Sequence, residues 1–162
     1  MTYNAELTIE FDVSKLTAEE IAELEKCLNG RLEAVRNNRG FTDKECMDWI
    51  AEITAPRYAV VAWNGFNNDS EWEMQELLRE LGGKFKNLSV IGRADVTISN
   101  PVNEYDPSMI AMRLADGELE WEVEQEIDED EDSEFADDIR ESNKRNKAFF
   151  EFARNFKPKQ TN

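Results

Sequence analysis

The chain has 162 residues, a net charge of −17 at neutral pH and a sequence pI near 4.4. This length suits one domain with a hydrophobic core, and a hydrophobic content of 40% is too high for a typical disordered chain. A field of this sign repels nucleic acid and anionic membranes and favours basic partners, so direct nucleic-acid binding is disfavoured. The chain has no histidine, which is the commonest general base near neutral pH and a frequent metal ligand. We therefore expect a protein that is not an enzyme and that holds no cofactor or metal.

The two cysteines, Cys27 and Cys46, fall within helical patterns and form no CxxC pair. Two such residues are typical of buried thiols in a reducing compartment. The first residues have neither the basic region nor the apolar run of a signal peptide. No apolar stretch approaches the roughly 20 residues that span a bilayer. We expect a cytoplasmic protein that makes no membrane contact.

The N-terminal elements are predicted from apolar periodicity and from capping residues. Residues 5–13 alternate between apolar and polar, which predicts a half-buried strand. Thr17 and Glu20 form a capping box before a helical apolar stripe over residues 21–35.

A second capping box, Thr42 with Glu45, predicts a helix that continues to about Thr54 and is stopped by Pro56. The short apolar run at residues 58–63 follows it and predicts a central strand.

Ser70 and Glu73 form a third capping box, which predicts a helix to about Leu81 with Gly82-Gly83 as its end. Residues 88–98 alternate again and predict a strand, in which Gly92 marks either a bulge or a close approach of the backbone.

The dipeptide Asp116-Gly117 lies between two alternating segments and predicts a two-residue hairpin turn with positive φ. The turn fixes the register, so that apolar pairs share the face toward the core and Glu residues line the other face. The predicted pairs are Ala115 with Glu118, Leu114 with Leu119, Arg113 with Glu120, Met112 with Trp121, Ala111 with Glu122, Ile110 with Val123 and Met109 with Glu124.

The last predicted element is one helix from about Ser133 to Phe156, with acids near its start and bases near its end, as the helix dipole favours. Its expected apolar anchors are Phe135, Ile139, Phe149, Phe152, Ala153 and Phe156.

These elements predict an α+β fold with one antiparallel-rich sheet of about five strands, including a C-terminal three-stranded meander. About four helices are expected to pack mainly on one face, and a ferredoxin-like variant fits this order of elements. We expect a single domain over residues 1–156 and a flexible tail over residues 157–162.

The negative charge is concentrated in one segment of the chain. Residues 104–138 contain sixteen acids and one base, whereas the other 127 residues contain 20 acids and 18 bases. Five of these acids alternate along the predicted second hairpin strand, and we call them the acidic ladder: Glu118, Glu120, Glu122, Glu124 and Glu126. Five consecutive acids follow, and we call them the acidic loop: Asp128, Glu129, Asp130, Glu131 and Asp132.

Like charges in a row repel one another and destabilise the folded chain. Because the acids are concentrated here in spite of this cost, they favour a role in binding a basic protein surface. One version is an inhibitor that occupies the nucleic-acid site of a partner enzyme. Mimicry of a nucleic-acid backbone needs more than the ladder. Alternate residues of a strand are ~6.7 Å apart, whereas one DNA strand carries a charge every ~3.4 Å along the helix axis, so the ladder has only half that charge density. Acidic proteins of phage and mobile-element defence-evasion systems are similar in composition only.

Two other interpretations of the acids stay open. The charges protect an edge strand from aggregation and aid solubility, with no partner required. The spacing of Asp128, Asp130 and Asp132 matches the opening of an EF-hand loop, but Ser133 and Ile139 replace the glycine and glutamate that such a loop needs.

An alternative function is a structural or regulatory subunit that assembles through aromatic side chains. The candidates for this interface are Trp63, Phe66, Trp72 and Phe150, the first three from the Trp63–Trp72 loop and the last from the Phe-rich C-terminal helix. The basic end of that helix also complements the acidic hairpin, which makes a homodimer a further alternative.

Overall fold

The computed structural model describes residues 2–38, 50–54, 57–63, 68–99 and 107–157. Within these residues, six strands form one sheet whose neighbouring strands are all antiparallel, in the order β2-β3-β1-β4-β5-β6. The strands are β1 (Thr2–Asp12), β2 (Ile50–Thr54), β3 (Arg57–Trp63), β4 (Ser89–Ser99), β5 (Pro107–Ala115) and β6 (Glu118–Gln125). The helices are α1 (Ala18–Asn38), α2 (Asn68–Lys84), α3 (Glu134–Arg145) and α4 (Lys147–Asn155). The α+β class and the antiparallel sheet are as predicted.

The main core lies between one face of the sheet and helices α1 and α2. Alternating residues of β1 supply Ile9 and Phe11, and β5 supplies Ile110, Met112 and Leu114, all nearly inaccessible to solvent. The helices add Leu24 and Leu28 from α1 and Met74, Leu77, Leu78 and Leu81 from α2. Buried apolar area of this extent is the main stabilising contribution to the fold.

The capping box at the start of α1 is confirmed in both directions. The backbone N–H of Thr17 donates to Glu20 Oε1 at 3.0 Å, and the N–H of Glu20 donates to Thr17 Oγ1 at 3.1 Å. Two of the amide groups that a helix start leaves unpaired are satisfied in this way.

The prediction of a helix up to Thr54 is wrong at its end, because residues 50–54 form β2. Ile50 pairs with Val61 and Thr54 pairs with Arg57, so β2 and β3 run side by side. β-branched residues close to a proline suit a short strand as well as a helix end, and pairing with β3 decides between them. The start of that predicted helix, with Thr42, Glu45 and Cys46, lies outside the described residues. The extra strand raises the expected number from about five to six in the described part of the chain.

Helix α2 begins earlier and ends later than predicted. It starts at Asn68, two residues before Ser70, and continues through Gly82 and Gly83 to Lys84. A Cβ at Gly82 would lie 2.7 Å from Leu114 Cδ1 and 3.2 Å from the carbonyl oxygen of Gly117. Gly82 therefore serves close packing between α2 and the hairpin, and it does not end the helix.

The hairpin prediction is confirmed in turn and register. Asp116 and Gly117 both have positive φ, 52° and 81°, as a type I′ turn requires. All seven predicted pairs are present, from Ala115 with Glu118 to Met109 with Glu124. Strands β4, β5 and β6 form the predicted meander.

Gly92 marks a close approach and not a bulge. The pairing of β4 with β1 runs without interruption from Ser89 to Ser99. A Cβ at Gly92 would lie 3.0 Å from Ile9 Cγ1, 3.1 Å from Met112 Cγ and 3.1 Å from the carbonyl oxygen of Thr8.

The expectation that the helices pack mainly on one face is wrong, because α4 lies on the face opposite α1 and α2. Its Phe150 and Ala153 pack against Met109 and Ala111, whose neighbours in β5 point into the main core. The predicted single C-terminal helix is also divided at Asn146 into α3 and α4. Periodicity alone could not reveal the break, because both halves favour helix.

Among the described residues, none of the helices combines the length and apolar character needed to cross a membrane.

Candidate protein-binding surface

Strand β6 places the acidic ladder at the edge of the sheet. The hairpin turn sets its register, so Glu120, Glu122 and Glu124 lie opposite Arg113, Ala111 and Met109 of β5. Glu118 begins the strand, and Glu126 follows its last residue. Because alternate residues share a face, these Glu residues point to the side of the sheet that carries α4.

Three ladder carboxylates have partners within the chain. Arg113 donates through Nη2 to both carboxylate oxygens of Glu120 at 2.9 Å, and Asn146 Nδ2 donates to Glu122 Oε2 at 3.2 Å. Arg154 forms a salt bridge with Glu124, whose side chain is only 19% exposed. Glu118 and Glu126 are exposed. The ladder is therefore not the continuous open row of charge that the alternation suggests.

Helix α4 packs against β5 beside the ladder and is held there by arginines. The guanidinium carbon of Arg113 lies 5.0 Å from the ring centre of Phe149 and 5.6 Å from that of Phe152, a cation–π geometry. Arg93 of β4 donates through Nη1 to the carbonyl oxygens of Ala153 and Arg154 at 3.1 Å and Phe156 at 2.6 Å. These carbonyls lie at the end of α4, where the Ala153 oxygen also accepts from the N–H of Phe156 at 3.3 Å, and Arg93 therefore caps the helix from the sheet.

The acidic loop is held in a defined turn by Arg140 of α3. Arg140 Nη2 donates to the backbone carbonyl oxygens of Asp128 at 3.0 Å, Glu129 at 3.4 Å and Glu131. The N–H of Glu131 also donates to the carbonyl oxygen of Asp128 at 3.1 Å. Arg140 thus binds the backbone of the loop and leaves the carboxylates at the surface, where Asp128, Glu129, Asp130 and Asp132 are exposed.

The acidic surface continues into the first turns of α3. Ser133 is the N-cap, since its Oγ accepts from the N–H of Ala136 at 3.1 Å. Glu134 and Asp137 stand in the first turn, where the helix dipole favours negative charge. Residues 126–138 together contain nine acids and no base. Among them Asp137 accepts from Arg140 Nη1 at 3.1 Å.

The aromatic candidates are separated by the fold. Phe150 is 1% exposed and is a core residue on the side of α4 that faces the sheet, so it offers no surface for assembly in this arrangement. Trp72 of α2 is 57% exposed and remains a surface candidate. Trp63 is the last residue of β3, and Phe66 lies outside the described residues.

Two residues expected to be apolar anchors are instead largely exposed. Phe135 is 57% exposed in the first turn of α3, and Phe152 is 42% exposed on α4. Sequence reasoning also did not identify Arg93, Arg113 and Arg140 as organising residues. Two of the three have a sequence signal: Arg140 is spaced three residues from Asp137, and Arg113 is placed opposite Glu120 by the hairpin turn. The contacts of Arg93 with α4 have none, because they come from a distant segment.

A cleft of about 360 Å³ lies between α1 and α2. Its walls include Cys27, which is half-buried, and Lys84, whose Nζ lies 3.5 Å from Cys27 Sγ. The prediction of a buried thiol is therefore met only in part at Cys27.

Among the described residues, no three His, Cys, Asp or Glu side chains are gathered so that they could hold a metal ion, and this includes the acidic loop. Comparison with known proteins finds no matching family model, no similar curated protein and no similar solved structure.

Proposed function

We propose that this chain is a non-enzymatic binding protein that docks its exposed acidic surface on a basic surface of a partner protein. The observation that carries the proposal is the acidic loop, whose exposed carboxylates are displayed on a backbone fixed by Arg140. A preformed loop loses little conformational entropy on binding, and its charge accelerates association with a basic partner.

The loop and the start of α3 support the proposal better than the acidic ladder does. Three ladder residues already interact with Arg113, Asn146 and Arg154, whereas four of the five loop residues are exposed. In the version in which the partner is a nucleic-acid-binding enzyme, residues 126–138 would stand in for the phosphates, and the ladder would contribute only its ends, Glu118 and Glu126.

The test compares two variants that change charge equally at different places. The loop variant carries Asp128→Asn, Asp130→Asn and Asp132→Asn. The control carries Glu19→Gln, Glu23→Gln and Glu151→Gln, which are exposed on α1 and α4. Each loses three carboxylates, so the net charge of −17 becomes −14 in both.

Immobilised wild type and both variants are used to capture partners from a lysate at about 50 mM and about 500 mM salt, because screening weakens exposed charge pairs steeply over this range. We expect wild type and control to retain a common basic partner at low salt, and the loop variant to lose it. Equal losses in the two variants, or a partner indifferent to salt, would contradict docking through the loop.

The second candidate is a structural or regulatory subunit, with the acids serving solubility. Its support is the exposure of Trp72 on α2 and of Phe152 on α4. Exposed aromatic side chains are frequent anchors of interfaces. In the same capture experiment, Trp72→Ser and Phe152→Ser would then remove a partner that high salt leaves bound.

A further inference from the structure

The sheet face beneath α4 is an unusual surface for packing a helix, because its apolar part is small and carboxylates lie beside it. The apolar cluster there is small and separate from the main core: Met109, Ala111, Phe150 and Ala153, with Phe149 partly buried. Glu122 and Glu124 adjoin it, and removing carboxylates from water opposes docking. Three arginines offset that cost: Arg154 pairs with Glu124, Arg113 lies over the ring of Phe149, and Arg93 caps the end of the helix. The attachment of α4 therefore depends on a few side chains.

Helix α4 is also joined to α3 at a break. Asn146 has φ −98° and ψ 10°, and its side chain makes no capping hydrogen bond to α4. Its side chain instead reaches Glu122 across the gap to β6. A non-helical residue with a polar contact of this kind is a point at which α4 can turn away from the sheet while α3 stays in place.

We propose that this sheet face is a binding surface for an aromatic and basic helix, and that α4 occupies it until a partner helix of the same chemistry replaces it. The contacts of α4 show which groups this face binds. A phenylalanine packs against Met109 and Ala111, and an arginine one turn later pairs with Glu124. Backbone carbonyls at the end of the helix accept hydrogen bonds from Arg93. The proposal is independent of docking through the acidic loop, since it concerns the sheet face under α4 and no residue of the loop.

The tether favours α4 over any partner, because a covalently linked segment acts at an effective concentration of about a millimolar. Binding in trans should therefore be weak in the wild type and should strengthen when α4 alone is weakened. Substitutions on α4 achieve this, since they leave the sheet face intact.

The probe is a fluorescently labelled peptide of residues 146–157, added to the full chain and followed by anisotropy. Phe150→Ala removes the buried ring from the tethered α4 but not from the peptide. We expect the dissociation constant of the peptide to be lower for this variant than for the wild type by a factor of about ten or more. Phe135→Ala is the matched control, an exposed phenylalanine on α3, and should bind like the wild type.

A second variant avoids any damage to the core. Arg154 is not part of the apolar cluster and its side chain is 48% exposed, so Arg154→Glu repels Glu124 and leaves the cluster itself unchanged. This variant should also bind the peptide more tightly than the wild type, and it decides the question if Phe150→Ala fails to fold.

Charge reversal tests whether the peptide binds at the position on the sheet that α4 occupies. Adding Glu124→Arg to Phe150→Ala should abolish binding of the peptide, and a peptide that carries Arg154→Glu should restore it. The proposal is overturned if binding is indifferent to residue 124. It is equally overturned if neither Phe150→Ala nor Arg154→Glu binds the peptide while circular dichroism shows the sheet intact.

Discussion

At the residue scale, two adjacent glycines in α2 have different roles. Gly82 lies against the hairpin, where an added Cβ would meet Leu114 Cδ1 at 2.7 Å and the backbone of Gly117 at 3.2 Å. Gly83 faces open space, with nothing within 4 Å of an added Cβ. Both are helical, so alanine would raise helix propensity at either position. Only the surroundings differ.

We therefore predict opposite effects of the two alanine substitutions. Gly83→Ala should raise the free energy of unfolding by about 0.5–1 kcal/mol, as expected for glycine to alanine in a helix. Gly82→Ala should lower it by about 1–3 kcal/mol, the usual cost of overpacking, because Leu114 is fully buried and cannot yield easily.

Urea unfolding of the two variants and the wild type measures both effects, and each variant is the control for the other. A stabilising Gly82→Ala would show that α2 can move away from the hairpin at little cost.

At the scale of the element, the start of α1 is set by neighbouring residues in the chain, whereas the end of α4 is set by a tertiary contact. The start of α1 is fixed within four residues by the capping box. The end of α4 is fixed by Arg93, which is more than fifty residues away in the chain. The break between α3 and α4 likewise coincides with a contact to β6, from Asn146 to Glu122.

The capping box predicts the cost of its removal. Thr17→Ala should lower the free energy of unfolding by about 1 kcal/mol, because the N–H of Glu20 loses its acceptor. Thr17→Ser keeps a hydroxyl at the same position and should stay within a few tenths of the wild type. Thermal or chemical unfolding of the pair measures the difference, and equal stabilities would mean that the box contributes nothing in the folded chain.

At the scale of the whole molecule, the dominant feature is the separation of charge along the chain. Nine acids and no base occupy residues 126–138, and the net charge is −17. Self-repulsion of this kind opposes the compact state, whereas the arginines that hold α4 and the acidic loop depend on attraction. Both effects are screened by salt, but they have opposite signs.

Salt should therefore stabilise the whole chain and loosen α4 at the same time. Raising sodium chloride from about 10 mM to about 150 mM shortens the screening length from ~30 Å to ~8 Å. The free energy of global unfolding should rise, while amide hydrogen exchange of α4 should accelerate. The variant Asp128→Asn, Asp130→Asn, Asp132→Asn should show a smaller rise, since it repels itself less. Slower exchange of α4 at high salt would contradict the role given to its arginines.

Prediction from the sequence succeeded where the determining contacts are local and failed where they are not. The Asp116-Gly117 turn fixed the register of β5 and β6, because turn geometry and apolar alternation agree. Residues 50–54 were assigned wrongly, because so short a segment fits helix or strand until its partner β3 is known. The exposure of Phe135 was also missed, since it depends on how α3 is oriented.

The sequence by itself determined the α+β class, the hairpin, the start of α1 and the place of the acidic segment, all set by periodicity, turn chemistry and composition. Only the tertiary structure decided which acids stay open. The ladder alternates along one strand face, but partners reach it from β5, from the break between α3 and α4 and from α4, namely Arg113, Asn146 and Arg154. The loop carboxylates remain at the surface. Charge lies in the sequence, but its exposure depends on what packs against it.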